Sequence, residues 1–316
     1  MARYLVTGGA GFIGSHVVRE LVARGEEVRV LDDLSTGRLE NLPAVSDRIT
    51  VSQVDICDPE SIRPLFVGVN YVIHLAALPS VARSVADPAG TNAVNLDGTL
   101  HVLLAARDAG VKRLIFAASA AAYGDNPTLP RSELQTPNPL SPYALTKLAG
   151  EYYCRIFTRI YGLETVALRF FNIFGPGQNP ESPYTGVLSK FITAYVRKTT
   201  PVIFGDGEQS RDFTYVANVV QAVLLACEAP DVPGKVINIG VGRSYTLNET
   251  IALLNAIFGR EVIPRYDPPR AGDVLHSRAD ISLARQVLGY EPRVFFEQGM
   301  RETVDWYRSV LAAPGH

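Results

Sequence analysis

The chain is poor in the residues that announce several common functions. It has three cysteines, Cys57, Cys154 and Cys227, far apart and without a C-x-x-C. An odd number at that spacing builds neither a disulfide framework nor a metal site and fits buried, reduced thiols. Charge of one sign is lacking too: 30 basic and 32 acidic side chains leave a net charge of −2. That balance gives no electrostatic footprint for nucleic acid or an acidic membrane. Long apolar runs are missing. "VVQAVLLACEA" is broken by Gln221 and Glu228 and is too short to span a bilayer. After Met1-Ala2-Arg3 the apolar run meets a glycine-rich turn too soon for a secretory h-region. A cytoplasmic protein without internal repeats is the expectation.

What is present is a regular alternation. "RYLVTG", "EVRVLDD", "ITVSQVD", "NYVIHLAA", "RLIFAAS" and "ETVALRFFN" read as strands. Between them lie helical patterns: "IGSHVVRELVARG" stops at Gly25, "TLHVLLAARDAG" at Gly110, and the segment opened by Ser141-Pro142 near Gly162. Strands alternating with helices predict an α/β fold with a doubly wound parallel sheet. Near residue 170 the rhythm changes: "FGPGQNPESPY" reads as a loop, and shorter elements follow, one opened by the capping box Thr246-Leu247-Asn248-Glu249. We expect a cofactor domain over 1–170 and a smaller α/β substrate domain over 171–316, with "KVINIG" (235–240) returning to the first sheet.

Chemistry enters at "TGGAGFIG", between the first strand and the first helix. Gly8, Gly11 and Gly14, or Gly9, Gly11 and Gly14, allow a tight turn, close approach to a pyrophosphate and packing of helix on strand. The helix N-terminus adds free N–H groups and partial positive charge. Asp32 ends the second strand 18 residues after Gly14, where a carboxylate bonds the ribose hydroxyls and repels a 2′-phosphate. Asp33 beside it strengthens the case for NAD, and Asp55 is a candidate for the adenine edge. In "SPYALTKLAGE", Tyr143 and Lys147 stand one helical turn apart. A free phenol titrates near about 10; lowering it by about three units needs roughly 4 kcal/mol, within reach of an ammonium and a nicotinamide cation in a dry cleft.

With "LDDLSTG", "HLAA", "FAASAAAYGD", "LRFFNIFGP", "GDGEQSRDF" and "RAGDVLHSRAD" added, nearly the whole chain resembles the extended short-chain dehydrogenase/reductase superfamily, with its Rossmann fold, and within it the nucleotide-sugar 4-epimerases. The resemblance implies Tyr143 as catalytic phenol, Lys147 as its partner and Ser119 as the hydroxyl on the reacting sugar oxygen. It implies NAD as cofactor and extends the cofactor contacts to Phe12, Ile13, Ser35, Thr36 and Gly37. It adds Ile56, Leu75, Ala76 and Ala77, with Asn95 and Phe170 near the dinucleotide. On the substrate side it implies Ser80, Asn172, Gln178, Val187 and Leu188, with Arg211 and Arg270 on the diphosphate. Asp273 and Ser277 complete that set, Ser277 as a gate small enough for a 2-acetamido group. It further implies a homodimer through two helices near residues 96–109 and 143–161.

Dehydratases and decarboxylases of the superfamily carry an acid just after the active-site Ser/Thr; here Ala120-Ala121-Ala122 stand there. Hydride return to the other face of a 4-keto sugar is then the remaining course, which gives C4 epimerisation. UDP-GlcNAc/GalNAc and UDP-Glc/Gal are both expected substrates, although related N-acetylhexosamine enzymes keep serines where this chain has Ala120 and Ala121, and a glycine where it has Pro79. UDP-glucuronate epimerisation and a catalytically silent NAD-binding protein are the alternatives.

Overall fold

The structure, a computed structural model, describes residues 1–180, 186–269 and 274–311. The first half runs β1 (Arg3–Thr7), α1 (Phe12–Ala23), β2 (Glu27–Asp32), β3 (Ile49–Gln53), α2 (Pro59–Ile62), β4 (Tyr71–His74), α3 (Val81–Ala86) and α4 (Pro88–Asn92). A π-helical turn, Ala93–Asp97, leads into α5 (Gly98–Asp108), β5 (Arg113–Ser119), α6 (Pro142–Tyr161) and β6 (Glu164–Phe170). Then come β7 (Ile173–Phe174), α7 (Val187–Val196), β8 (Val202–Phe204), β9 (Ser210–Arg211), β10 (Thr214–Tyr215) and α8 (Val216–Glu228). The chain ends with β11 (Val236–Ile239), β12 (Tyr245–Thr246), α9 (Leu247–Phe258), β13 (Arg265–Asp267), α10 (Ser282–Leu288) and α11 (Phe296–Leu311).

Seven strands form one parallel sheet in the order β3-β2-β1-β4-β5-β6-β11. Strand order reverses between β1 and β4, and ligands of such sheets bind outside the carboxyl ends at that point. Both faces are covered at the centre, so β1, β4, β5 and β6 are buried along nearly their whole length, whereas the edge strand β3 is largely exposed. Val17, Val18 and Leu21 of α1 pack with Val219 and Val223 of α8 on one face. On the other, Val102 and Leu103 of α5 meet Cys154 and Phe157 of α6. Local chemistry sets the helix ends: Ser141 accepts from Ala144 N at 3.1 Å to open α6, and Gly162, at φ 73°, closes it in the left-handed region. The box at Thr246 is complete, with Thr246 and Glu249 bonding each other's backbone.

The later segments do not separate cleanly in space. α8, α10 and β11 pack on the main sheet, whereas Phe174, Phe191, Phe213, Phe296 and Tyr307 build a second core beside it. Pairings of two or three residues (β10 with β7, β12 with β9, β13 with β8) hold this second part above the carboxyl edge of the sheet.

Candidate active site

Between the two cores runs a cleft of about 1800 Å³. Drug-sized ligands occupy roughly 300–1,000 Å³, so this volume suits two nucleotides end to end. One end is the glycine turn. Gly8 has φ 68°, and a Cβ there would lie 2.8 Å from Ala76 N; a Cβ on Gly14 would lie 2.1 Å from Gly8 O. Only glycine permits both the turn and the packing of α1 against it. Gly11 caps α1 without any side-chain bond, leaving the first-turn N–H groups facing the cleft. Asp32 is buried, accepting from Ala10 N and Leu34 N, both at 2.9 Å, and burial raises its carboxyl above the usual range. These bonds leave each oxygen a further lone pair, so the acid fixes its loop and can still take ribose hydroxyls. Phe12, Ile13, Asp33, Ser35, Thr36, Gly37, Asp55, Ile56, Leu75, Ala77 and Phe170 line the same stretch. The cradle fits NAD.

Midway along the cleft stand Ser119, Tyr143 and Lys147. Gly150 lets α6 lie directly on β5: a Cβ there would be 2.4 Å from the Phe116 ring. That approach seats the Lys147 Nζ 2.9 Å from Ala117 O and 5.1 Å from the Phe116 ring centre. Burial pushes its ammonium down to about 8. At Tyr143 burial raises the phenol above its ordinary value, opposed by a hydrogen bond with Ser119. Desolvation of the phenol dominates its shift, while the Lys147 ammonium, with one of its three N–H groups on Ala117 O, keeps two donors and its charge. Ser119 also accepts from Ala121 N at 3.1 Å, capping a 3₁₀ turn, so it is strand-end cap and cleft hydroxyl at once.

Asn95 is buried behind the wall of the cofactor stretch. It sits on the π turn with its side chain on Leu78 N (2.7 Å), Leu78 O (3.2 Å) and Thr146 Oγ1 (3.3 Å), and it does not line the cleft. It ties the wall beside the cofactor to the residue before Lys147. His74 supports the same wall: Thr99 donates to Asn95 O, so its oxygen takes the His74 Nε2–H, and Nδ1 accepts from Thr7 Oγ1 at 2.7 Å. That network assigns the tautomer, and burial, then Lys147, pushes the imidazole down to about 3, so it is neutral.

The far end belongs to the second core. Ser80, Asn172, Gln178, Val187 and Arg211 line the cleft there. Asn172 has φ 24°, unusual outside glycine, and donates to Asp212 O at 3.2 Å. Arg211 donates to Ser210 O and Leu275 O, at 2.9 and 3.0 Å. Leu188 and Ser277 are placed differently from Val187 and Arg211. Leu188 faces the second core, 4% exposed, while its neighbour Val187 faces the cleft. Ser277 does not line the cleft; its N–H pairs with Ser210 O at 3.0 Å, one residue from Arg211. Arg270 and Asp273 lie outside the described residues. Sequence reasoning missed Arg83, Lys190, Phe204 and Gln209, which also line the cleft. The Gln209 amide donates to Phe204 O, and "VIFGDGEQ" was a signal only insofar as it adjoins Arg211. Among the described residues, the carboxylates lining the cleft are Asp32, Asp33, Glu40 and Asp55, all at the β2–β3 end.

Such a cleft defines a nicotinamide-dinucleotide enzyme of the short-chain dehydrogenase/reductase class. The chain belongs to the NAD dependent epimerase/dehydratase family, which matches residues 4–240. It is 40% identical to a UDP-glucose 4-epimerase of Mycolicibacterium smegmatis, covering 97% of this chain and 99% of the relative. Among solved structures it resembles a UDP-N-acetylglucosamine 4-epimerase from Methanobrevibacter ruminantium in complex with UDP-N-acetylmuramic acid. The TM-score is 0.94 and the identity 40%, over 98% of this chain and 99% of the other. A UDP-glucose 4-epimerase with UDP-glucose from Thermotoga maritima superposes at TM-score 0.93 and 42% identity, over 98% and 99%.

Proposed function

We propose that the protein is a UDP-hexose 4-epimerase acting on UDP-Glc/UDP-Gal and UDP-GlcNAc/UDP-GalNAc through a 4-keto sugar. The observation that carries this reading is the Ser119–Tyr143 pair in a cleft whose described carboxylates all stand at the adenosine end. Bound NAD supplies the two-electron oxidation at C4 and its reversal. Tyr143 takes the 4-hydroxyl proton and later returns it. Ser119 holds the reacting oxygen, and the Lys147 ammonium favours the phenolate together with the nicotinamide's charge, offsetting the burial that otherwise raises the phenol. With no acid beside Ser119 to protonate a leaving group, elimination has no partner and return of hydrogen to the other face of the ketone follows. Arg211, Asn172 and Gln178 hold the nucleotide diphosphate, an anion suited to a guanidinium fork. The close relatives whose names carry UDP-glucose and UDP-N-acetylglucosamine support the substrate pair. Incubation of the purified protein with UDP-glucose, and separately with UDP-GlcNAc, without added cofactor tests it. Conversion to the C4 epimer is expected; no conversion of either, even with NAD supplied, overturns it.

A second reading is favoured by Arg83. It lines the cleft half-buried, one turn beyond Ser80, and its guanidinium makes no hydrogen bond or ion pair among the described residues. A UDP-sugar bearing a carboxylate, such as UDP-glucuronate, fits a cation there, and one similar structure holds UDP-N-acetylmuramic acid. Preferential turnover of UDP-glucuronate, with an Arg83→Gln change lowering its kcat/KM relative to UDP-glucose by tenfold or more, decides for it.

The working form we propose is a cytoplasmic homodimer. Leu145, Tyr152, Ile156 and Ile160, 43–67% exposed, form one stripe along α6, an apolar surface of the kind that partners cover.

A further inference from the structure

Asp212 is absent from every role above, although it is wholly buried beside Arg211. Its Oδ1 accepts from Val241 N at 2.9 Å. Its Oδ2 accepts from Gly242 N at 2.9 Å and Ala279 N at 3.1 Å. A Cβ on residue 240 would come within 3.0 Å of Oδ2, so Gly240 makes room for the carboxylate. One side chain thus joins the end of β11 in the main sheet, the β9–β10 segment above the cleft, and the strand-like segment at 276–279. The neighbours it holds are those of the diphosphate end. Asn172 donates to the Asp212 carbonyl, and Thr214 N returns a bond to Asn172 O at 3.1 Å. Arg211 precedes Asp212 and reaches Leu275 O; Ser277 N reaches Ser210 O.

We propose that Asp212 is the positioning residue of the diphosphate subsite: by clamping three chain segments with one carboxylate, it sets where Asn172 and Arg211 stand relative to each other. The argument rests on the reading of that end as a nucleotide-diphosphate site. A carboxylate suits the place because three N–H donors converge on it and it carries no hydrogen of its own. An amide of equal size must turn its NH₂ toward at least one of those donors, leaving a buried N–H unpaired.

The test is Asp212→Asn, measured by titration with UDP and by steady-state kinetics with UDP-glucose. UDP binding is expected to weaken tenfold or more, with KM rising by more than kcat falls and with retained NAD equal to wild type. A purely structural role predicts instead a lower melting temperature with UDP affinity within twofold of wild type, and that outcome overturns the proposal. If the variant does not fold, amide hydrogen exchange on the unaltered protein takes its place. Val241, Gly242 and Ala279 are expected to exchange more slowly, as a group, when UDP is added; unchanged exchange at saturating UDP rejects the clamp. Should UDP bind and depend on Asp212 while no sugar is epimerised, the epimerase reading falls and this one stands. If UDP fails to bind the unaltered protein, both fall.

Discussion

Tyr143 illustrates how a side chain's environment can oppose the task proposed for it. Burial raises the phenol, so the proposed use of Tyr143 as a base requires positive charge brought close by Lys147 and the nicotinamide. Removing the hydroxyl with Tyr143→Phe should lower kcat by 10²–10⁴, about the worth of a general acid–base group, while UDP and NAD binding persist. A silent NAD-binding protein would be indifferent to that change, so turnover and binding measured side by side separate the readings. Lys147 gives a pH dependence whose sign follows from its shift. Burial lowers its pKa from about 10.5 to about 8 in the folded protein, so the ammonium is present below about 8 and lost above. The activity is expected to decline on an alkaline limb at or below about 8. A guanidinium keeps its charge past pH 12, so Lys147→Arg should be slower overall but lack that limb.

At the scale of elements, the carboxyl-edge turns carry the function. The turn from β1 to α1 has no room for a side chain: a Cβ on Gly14 meets Gly8 O at 2.1 Å. Gly14→Ala should therefore cost the protein its NAD, read as nucleotide released on denaturation, with circular dichroism recording whether the sheet survives. Helix α6 begins at the Ser141 cap and carries Tyr143 and Lys147 in its first two turns. Ser141→Ala is expected to destabilise the protein by about 1 kcal/mol in urea denaturation, because a first-turn N–H loses its partner. These turns were legible in the chain because they depend on neighbours: glycine at fixed offsets, a hydroxyl before an apolar run, a glycine after it. The short pairings β7–β10, β9–β12 and β8–β13 were not legible. Each joins two- or three-residue strands separated by 34 to 63 positions, too short for a period-2 pattern to register.

The molecule as a whole brings two cores together over one cleft, and the proposed ligand and subunit binding would act on that whole. If UDP binds as proposed, and only to the folded protein, at a hundred times its Kd it should add about 2.7 kcal/mol, seen as a rising melting temperature across a UDP titration. The apolar stripe on α6 predicts that Ile156→Glu shifts the protein from dimer to monomer in sedimentation. A wild-type protein that sediments as a monomer at micromolar concentration would sink the dimer.

The sequence by itself determined the parallel α/β plan, the glycine cradle with Asp32, and the Ser119–Tyr143–Lys147 set. Each is encoded by residue types at short, fixed spacings along strands, turns and one helix. Only the tertiary structure decided what Asn95 and Leu188 pack against, that Arg83 and Gln209 reach the cleft, and that the Asp212 carboxylate joins segments far apart in the chain. Those outcomes depend on which long-range partners close around a residue, and burial against a distant segment leaves no period in the local sequence.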